Sequence, residues 1–280
     1  MQPNTSYLVC ATPRSGSTLL CEALTNTGIA GRPREYFEGL KDTGLPRRPK
    51  EYFAGLGNSV ITELLGDYFR LDDNPTQLEL WGTSSYADYL ARVIEQSTTS
   101  NGVFGAKLMW GYFDDFISHL RQIPGRREMA VPDLLSTIFP NLHYIWVTRQ
   151  DKVRQAVSLW KAIQTSTWRM DESPLAKDHS PPGELVFHFE AIDHLVQQIV
   201  AHEIAWRQYF DAWKIQPFTV VYEELTAAYE ATALDILRYL HIPIPENLMF
   251  AERHLKRQAD TLSEEWVQRY QNLKREREGW

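Results

Sequence analysis

Residues 7–11, Tyr-Leu-Val-Cys-Ala, form a short and almost wholly apolar run that Thr12 and Pro13 break. A run of that length bounded by breakers predicts a strand buried on both faces. Leu19, Leu20, Ala23 and Leu24 then recur at helical spacing, which predicts a helix over about 16–26 with Gly28 closing it. Further strands are predicted over 103–110, 143–149 and 218–225. Helices are predicted over 81–98, 112–122, 133–139, 150–168 and 229–241, with a long one inside 184–213. Tyr86, Tyr89, Leu90, Val93 and Ile94 share one side of the first of these, and Val153, Ala156, Val157, Trp160 and Ile163 keep core spacing in the fourth. Residues 38–80 are rich in Gly and Pro, with short helices predicted about 50–54 and 60–69, and 170–183 reads as a polar loop. Residues 264–277 alternate in charge, the pattern of a solvated helix face. Strands separated by helices predict an α/β fold, a parallel sheet with helices on both faces. The wide gaps are helical, which favours one domain over 1–280 carrying a helical and loop insertion at about 38–100.

The first strand feeds the loop Thr12-Pro13-Arg14-Ser15-Gly16-Ser17-Thr18 into a helix N-terminus. The first turn of a helix has N–H groups without intrahelical acceptors, and the macrodipole adds partial positive charge there. Arg14 adds a guanidinium fork suited to oxyanions. Small residues, hydroxyls and an arginine at this place predict a phosphate-binding loop. It is not a Walker loop, because no Gly stands five before Gly16 and no Lys follows it.

Composition narrows the class. At 280 residues, 43% hydrophobic and 23% charged, the chain can bury a sizeable core. A net charge of −7 argues against nucleic acid or anionic membranes as general partners. No apolar run reaches the ~18–20 residues that span a bilayer, and no basic segment followed by an apolar one suggests a signal peptide. Two cysteines, Cys10 on the first strand and Cys21 on the first helix, both read as core residues of a reducing compartment. A cytoplasmic location is expected. The nine Trp and thirteen Tyr fit aromatic packing, with some available to line a sugar-binding cleft.

Other candidates carry two readings each. Glu35 lies in the loop that follows the first helix, and is either paired with Arg32 or Arg34 or returned to the phosphate loop. An 11-residue helix carries the chain ~16 Å, and eight extended residues span up to ~26–29 Å, so the return is within reach. Lys107, in the second predicted strand, either sends its head to solvent or meets a ligand at the carboxyl end of the sheet. Arg149, ending the third strand, and Ser158, nine residues on, either share an anion or are a surface arginine and a neutral helix serine. Asp114-Asp115 reads as a solvated helix face, since adjacent helical residues do not face each other. His188, His194 and His202 are read on one helix, six and then eight apart, which is not ligand spacing, and no metal is expected.

The loop at 12–18 resembles the 5′-phosphosulfate loop of sulfotransferases. Over residues 7–270 the chain resembles the bacterial trehalose 2-sulfotransferase family. The resemblance is carried by Arg14-Ser15-Gly16-Ser17-Thr18-Leu19-Leu20, by Glu35 in Pro33-Arg34-Glu35-Tyr36-Phe37, and by Gly105-Ala106-Lys107-Leu108-Met109-Trp110. It continues through the block over 149–162, Arg257-Gln258-Ala259-Asp260 and Glu265-Trp266-Val267. It implies a P-loop NTPase-like sulfotransferase fold using 3′-phosphoadenosine 5′-phosphosulfate (PAPS) and leaving adenosine 3′,5′-bisphosphate (PAP). By motif position, Arg14, Ser15, Gly16, Ser17 and Thr18 would hold the 5′-phosphosulfate, Arg149 and Ser158 the 3′-phosphate, and Glu35 would be the general base. Lys107 and Trp110 fall on the acceptor side, Lys107 either assisting transfer or touching the acceptor. The implied acceptor is a sugar or glycolipid, trehalose or a relative, and the implied assembly is a homodimer. Animal sulfotransferases commonly place a loop Lys where Arg14 stands, and their Arg-to-Ser spacing is eight against the nine from Arg149 to Ser158. The rivals are a related sulfotransferase with another acceptor, a P-loop kinase and a catalytically silent nucleotide-binding protein.

Overall fold

The computed structural model describes residues 2–38, 52–53, 55–57, 60, 63, 82–165, 185–250 and 261–279. Most of the predicted insertion, the loop at 170–183 and the Arg257–Asp260 block lie outside the described residues. The chain divides into two compact units. The first comprises Met1–Arg47, Asp73–Gln150 and His202–Glu252; the second comprises Arg48–Asp72, Asp151–Ala201 and Arg253–Trp280.

The first unit is built on four parallel strands, β1 (Thr5–Ala11), β2 (Val103–Met109), β3 (Leu142–Thr148) and β4 (Phe218–Val221), in the spatial order β2-β1-β3-β4. All seven β2 residues and six of the seven in β1 are buried. Because successive side chains point to opposite faces, such strands are covered on both sides. The connecting helices are α1 (Ser17–Asn26), α2 (Tyr86–Ser97), α3 (Phe113–Arg121), α4 (Val131–Ile138), and, after β4, α7 (Tyr222–Ala227) and α8 (Tyr229–Tyr239). Ser85 caps α2, its hydroxyl accepting from the Asp88 N–H, so this helix starts later than its apolar pattern predicts. Asp114 and Asp115 fall in the first turn of α3, where acids favour the positive end of the dipole.

Two aromatic groups fix the sheet's ends. Phe37 stacks on Phe116 at 4.4 Å, and Phe139 stacks on Phe104 of β2. Trp206, wholly buried, donates its indole N–H to the Ala11 carbonyl at 3.0 Å, closing the last acceptor of β1. A fully buried aromatic contributes roughly 1.5–3 kcal/mol, so these clusters dominate the local core.

The second unit contains α5 (Lys152–Thr165), the part of α6 (Phe189–Ala212) up to Ala201, and α9 (Thr261–Glu278). Its core gathers Phe53, Trp160, Ile163, Ile192, Leu195 and Trp266. The alternating charges of α9 lie beside a buried stripe of Trp266, Val267 and Tyr270, so they form the solvated face of an amphipathic helix. The Tyr270 hydroxyl donates to Asp193 at 2.6 Å and Lys274 pairs with the same carboxylate.

Two further boundaries differ from expectation. β4 stops at Val221, and Tyr222–Leu225 are helical. Glu223 and Glu224 favour the first turn of α7, and the Glu223 carboxylate accepts from the Gln150 N–H at 3.1 Å. His188 precedes α6 instead of lying on it, and its Nδ1 accepts from the Ala191 N–H at 3.3 Å. That is a capping contact at the start of the helix.

Candidate active site

The site lies at the carboxyl ends of the strands in the first unit, where open α/β sheets bind ligands. β1 is flanked by β2 on one side and β3 on the other, so the chain reverses its winding direction there. From Ala11 the chain turns sharply. The Ser15 N–H donates to the Thr12 carbonyl at 3.3 Å, and Arg14 and Gly16 both take left-handed φ values, 63° and 94°. Arg14 does so despite its Cβ, a conformation L-residues rarely adopt. At Gly16 nothing but hydrogen fits, because an added Cβ would stand 2.4 Å from the Tyr222 ring.

This turn delivers Ser17 and Thr18 to the start of α1. The helix has no side-chain N-cap and no acid in its first turn. Among the described residues, no side-chain cap or first-turn acid therefore competes for the first-turn amides. The Ser15 side chain is fully buried, and its hydroxyl finds no hydrogen-bond partner among the described residues. An orphaned hydroxyl is costly unless a ligand satisfies it. A loop of this kind fits a phosphate or sulfate oxyanion.

Arg149, at the end of β3, is buried and stands over the Tyr222 ring at 4.4 Å. Its Nη1 donates to the Arg14 carbonyl at 3.3 Å. The guanidinium is thus fixed beside the loop by a cation–π contact and a backbone bond. The neighbouring Thr148 hydroxyl donates to Glu203 at 2.8 Å, which anchors the strand end. Ser158 lies on α5, half-buried, within the second unit.

The acid half is brought in by backbone pairing. Arg34 bridges to Ala106 in parallel fashion, and the Lys107 N–H donates to the Arg34 carbonyl at 2.8 Å. One residue on, Glu35 Oε2 lies 2.6 Å from Lys107 Nζ. Lys107 Nζ is also 3.2 Å from Thr18 Oγ1, so the ammonium joins the carboxylate to the first turn of α1. The Tyr112 hydroxyl donates to Glu35 Oε1 at 3.1 Å. Glu35 therefore returns to the loop and pairs with Lys107, rather than with Arg32 or Arg34. The Lys107 side chain is 7% exposed and that of Glu35 21%. Lys107 is thus no solvent-reaching lysine. Burial acts to lower its pKa, but the Glu35 carboxylate, with Cys21 and Glu38, more than offsets this and holds it above the usual value as an ammonium. Burial, then the Glu35 and Glu38 charges, raise the Tyr112 phenol well above 10.0, so it stays a donor. Trp110 lies half-buried just past β2, stacked on Phe113 and edge-on to Trp206.

The structure thus gathers Arg14, Ser15, Gly16, Ser17, Thr18, Arg149, Glu35 and Lys107 within one unit. Two members escaped the sequence reading. Tyr112 lies beyond the carboxyl end of β2, the place that drew notice to Lys107. Tyr222 was hidden by extending β4 through it. Neighbouring residues can hold an oxyanion, an acid to take a proton, and a cation between them. Among the described residues no His, Cys, Asp and Glu cluster could hold a metal ion, and no helix is long and apolar enough to cross a membrane.

Known proteins resemble the chain over nearly its whole length. The chain is 32% identical to the trehalose 2-sulfotransferase of Mycolicibacterium smegmatis over 270 residues, 95% of this chain and 94% of that protein. It is 34% identical to the trehalose 2-sulfotransferase of Mycobacterium tuberculosis (strain Erdman) over 276 residues, 94% and 93% of the two chains. A solved sulfotransferase from Alicyclobacillus acidocaldarius superposes with a TM-score of 0.49 at 11% identity, over 98% of this chain and 96% of that one. Residues 6–273 match the Stf0 sulphotransferase model, and the chain belongs to that family.

Proposed function

We propose that the chain transfers a sulfuryl group from PAPS to a hydroxyl of trehalose or a related sugar. The observation that carries this reading is the contiguity of Glu35, Lys107 and Thr18, a carboxylate tied through one ammonium to an uncapped helix N-terminus. The donor supplies a sulfuryl group on a phosphate leaving group. Arg14, the orphaned Ser15 hydroxyl and the first-turn amides of Ser17 and Thr18 hold the 5′ end and balance charge on the departing phosphate. Arg149 is assigned to the 3′-phosphate, with Ser158 as its expected partner. Glu35 accepts the proton of the attacking hydroxyl as the bond to sulfur forms, a role typically worth 10²–10⁴-fold. Tyr112 keeps the Glu35 carboxylate turned toward the acceptor, and Trp110 offers an aromatic face on that side. As in phosphoryl transfer, alignment and charge stabilisation supply the rest of the rate. A homodimer in the cytoplasm is the assembly and location we assign.

The test has two arms. Thermal unfolding should shift upward with PAP and not with ATP and magnesium; a ligand at 100 times its Kd adds about 2.7 kcal/mol. A shift with ATP alone would overturn the reading. Glu35→Gln should keep the PAP shift while transfer of labelled sulfate to trehalose falls ~10²–10⁴-fold. Full activity in that variant would remove Glu35 from the chemistry.

A further inference from the structure

Lys107 touches both halves of the site. Its Nζ lies 2.6 Å from Glu35 Oε2 and 3.2 Å from Thr18 Oγ1. With 7% of its side chain exposed, this ammonium draws its partners from the protein or a ligand and little from water. The other Glu35 oxygen accepts from Tyr112, so both carboxylate oxygens are engaged. The oxygen that must receive the acceptor's proton is then already occupied by a charged donor. The same ammonium borders the first turn of α1, where the donor's phosphosulfate would bring several anionic oxygens. Anionic oxygens there and the Glu35 carboxylate therefore compete for one cation.

We propose that Lys107 couples the two substrates: it holds Glu35 idle before the donor binds, then passes to an oxygen of the bound donor and frees Glu35 Oε2 for the acceptor. The inference rests on the assignment of the α1 loop to the donor and of Glu35 to the base. The chemical step itself balances as before. The acceptor oxygen bonds to sulfur, the bond from sulfur to the bridging oxygen breaks, its electrons leave with the phosphate, and the acceptor proton goes to Glu35. Lys107 keeps its proton and changes only its partner. Its raised pKa agrees with that role. The consequence is an order of events, in which the base becomes available once the sulfuryl donor is in place.

PAP affinity, measured by titration calorimetry on the full chain, tests the exchange without depending on the acceptor. Glu35→Gln releases Lys107 from its carboxylate, so PAP should bind about tenfold more tightly, the scale of one charged hydrogen bond. Lys107→Met should weaken PAP by about tenfold. In the Lys107→Met background, Glu35→Gln should bring less than a twofold gain. Simple repulsion between Glu35 and the phosphate predicts the reverse, a gain as large or larger once the ammonium is gone. A gain that persists in that background, or no gain from Glu35→Gln alone, overturns the proposal. Lys107→Gln, which can still donate to Glu35 without a charge, serves as the second background if Lys107→Met does not fold, as read by its unfolding curve. If wild type binds no PAP, the donor assignment fails and this proposal with it. If PAP binds and Glu35→Gln abolishes transfer, but the cycle shows no coupling, the exchange alone fails.

Discussion

Five consecutive residues, Arg14 to Thr18, make up the loop we assign to the oxyanion, whereas the acid end draws Glu35 from one stretch of chain and Lys107 and Tyr112 from another. The first end is held by backbone conformation, with two left-handed residues and a helix terminus. The second is held by packing and register, through the Arg34–Ala106 bridge and a two-hydrogen-bond clasp on one carboxylate. A loop made of backbone geometry fails when a Cβ is added. A cluster made of register and side chains fails when the surfaces that set its register move, or when its charges titrate. The two ends should therefore respond to different insults.

The largest effect should come from Gly16→Val. It forces a branched residue into φ 94° and drives its Cβ into the Tyr222 ring, 2.4 Å away. Strain of about 1–3 kcal/mol and overpacking of about 1–3 kcal/mol add at this site. PAP affinity should fall ~100-fold or more, by calorimetry, and retained affinity would show that the loop is not the donor site. Next comes Gly105→Ala in β2. An added Cβ would meet the Tyr7 ring at 2.3 Å, and that ring carries the hydroxyl which donates to the Ala30 carbonyl at 2.6 Å. Unfolding stability should drop by about 1–3 kcal/mol, and transfer should fall more than PAP binding, since the disturbed segment leads to Glu35. Equal losses of binding and transfer would erase the distinction between the ends.

Alkali should separate the two ends again. The folded-state pKa values of Tyr7 and Tyr112 are raised well above 10.0, first by burial, and that of Lys107 stands above 10.5. Each group binds its proton more tightly folded than unfolded, so its contribution is complete below the unfolded value and is lost as pH rises past it. The Tm should be flat from pH ~7 to ~9 and fall above ~10, by roughly 1 kcal/mol per pH unit for each such group. Amides and arginines of the oxyanion end do not titrate there. An unchanged Tm at pH ~11 would mean that these groups are not buried in solution. The smallest effect is that of Tyr112→Phe, which removes one hydrogen bond worth about 1 kcal/mol. We expect kcat to fall ~3–10-fold with PAP affinity unchanged; a change confined to KM would assign Tyr112 to acceptor binding instead.

The same contrast explains what could be read from the amino-acid sequence. β1, its loop and α1 are contiguous, and their breakers, hydroxyls and apolar spacing announce them. The return of Glu35 was within reach by chain length, but its partner was not legible. Arg32 and Arg34 are near in sequence, yet extended pairing at Arg34 sets the Glu35 side chain beside Lys107 of β2. Tyr112 gave no local signal, because its role depends on where Glu35 arrives. The need for glycine at 105 has no local sign, and only the position of Tyr7 shows why a side chain would not fit. β4 was extended too far because Tyr222 and Leu225 suit strands as well as helices, and the acids of the first turn decide the matter. The family resemblance points to a base role for Glu35, which residue spacing by itself leaves between two readings.

The Arg34–Ala106 bridge has a consequence for how this protein can vary. It is a single isolated ladder contact, made after α1 and a short crossing segment, and Glu35 follows it by one residue. Inserting or deleting one residue between Thr27 and Arg34 would slip that pairing and turn Glu35 to the opposite side of the strand edge. Gly31 is fixed as well, because its φ is 72° and an added Cβ would stand 2.9 Å from the Gly105 backbone N, and Ala30 beside it is wholly buried. Substitutions elsewhere in this crossing segment keep the count and leave the carboxylate aimed, so the segment can drift in composition at its exposed positions while its length stays frozen, and a library of loop variants should hold activity at the native length alone.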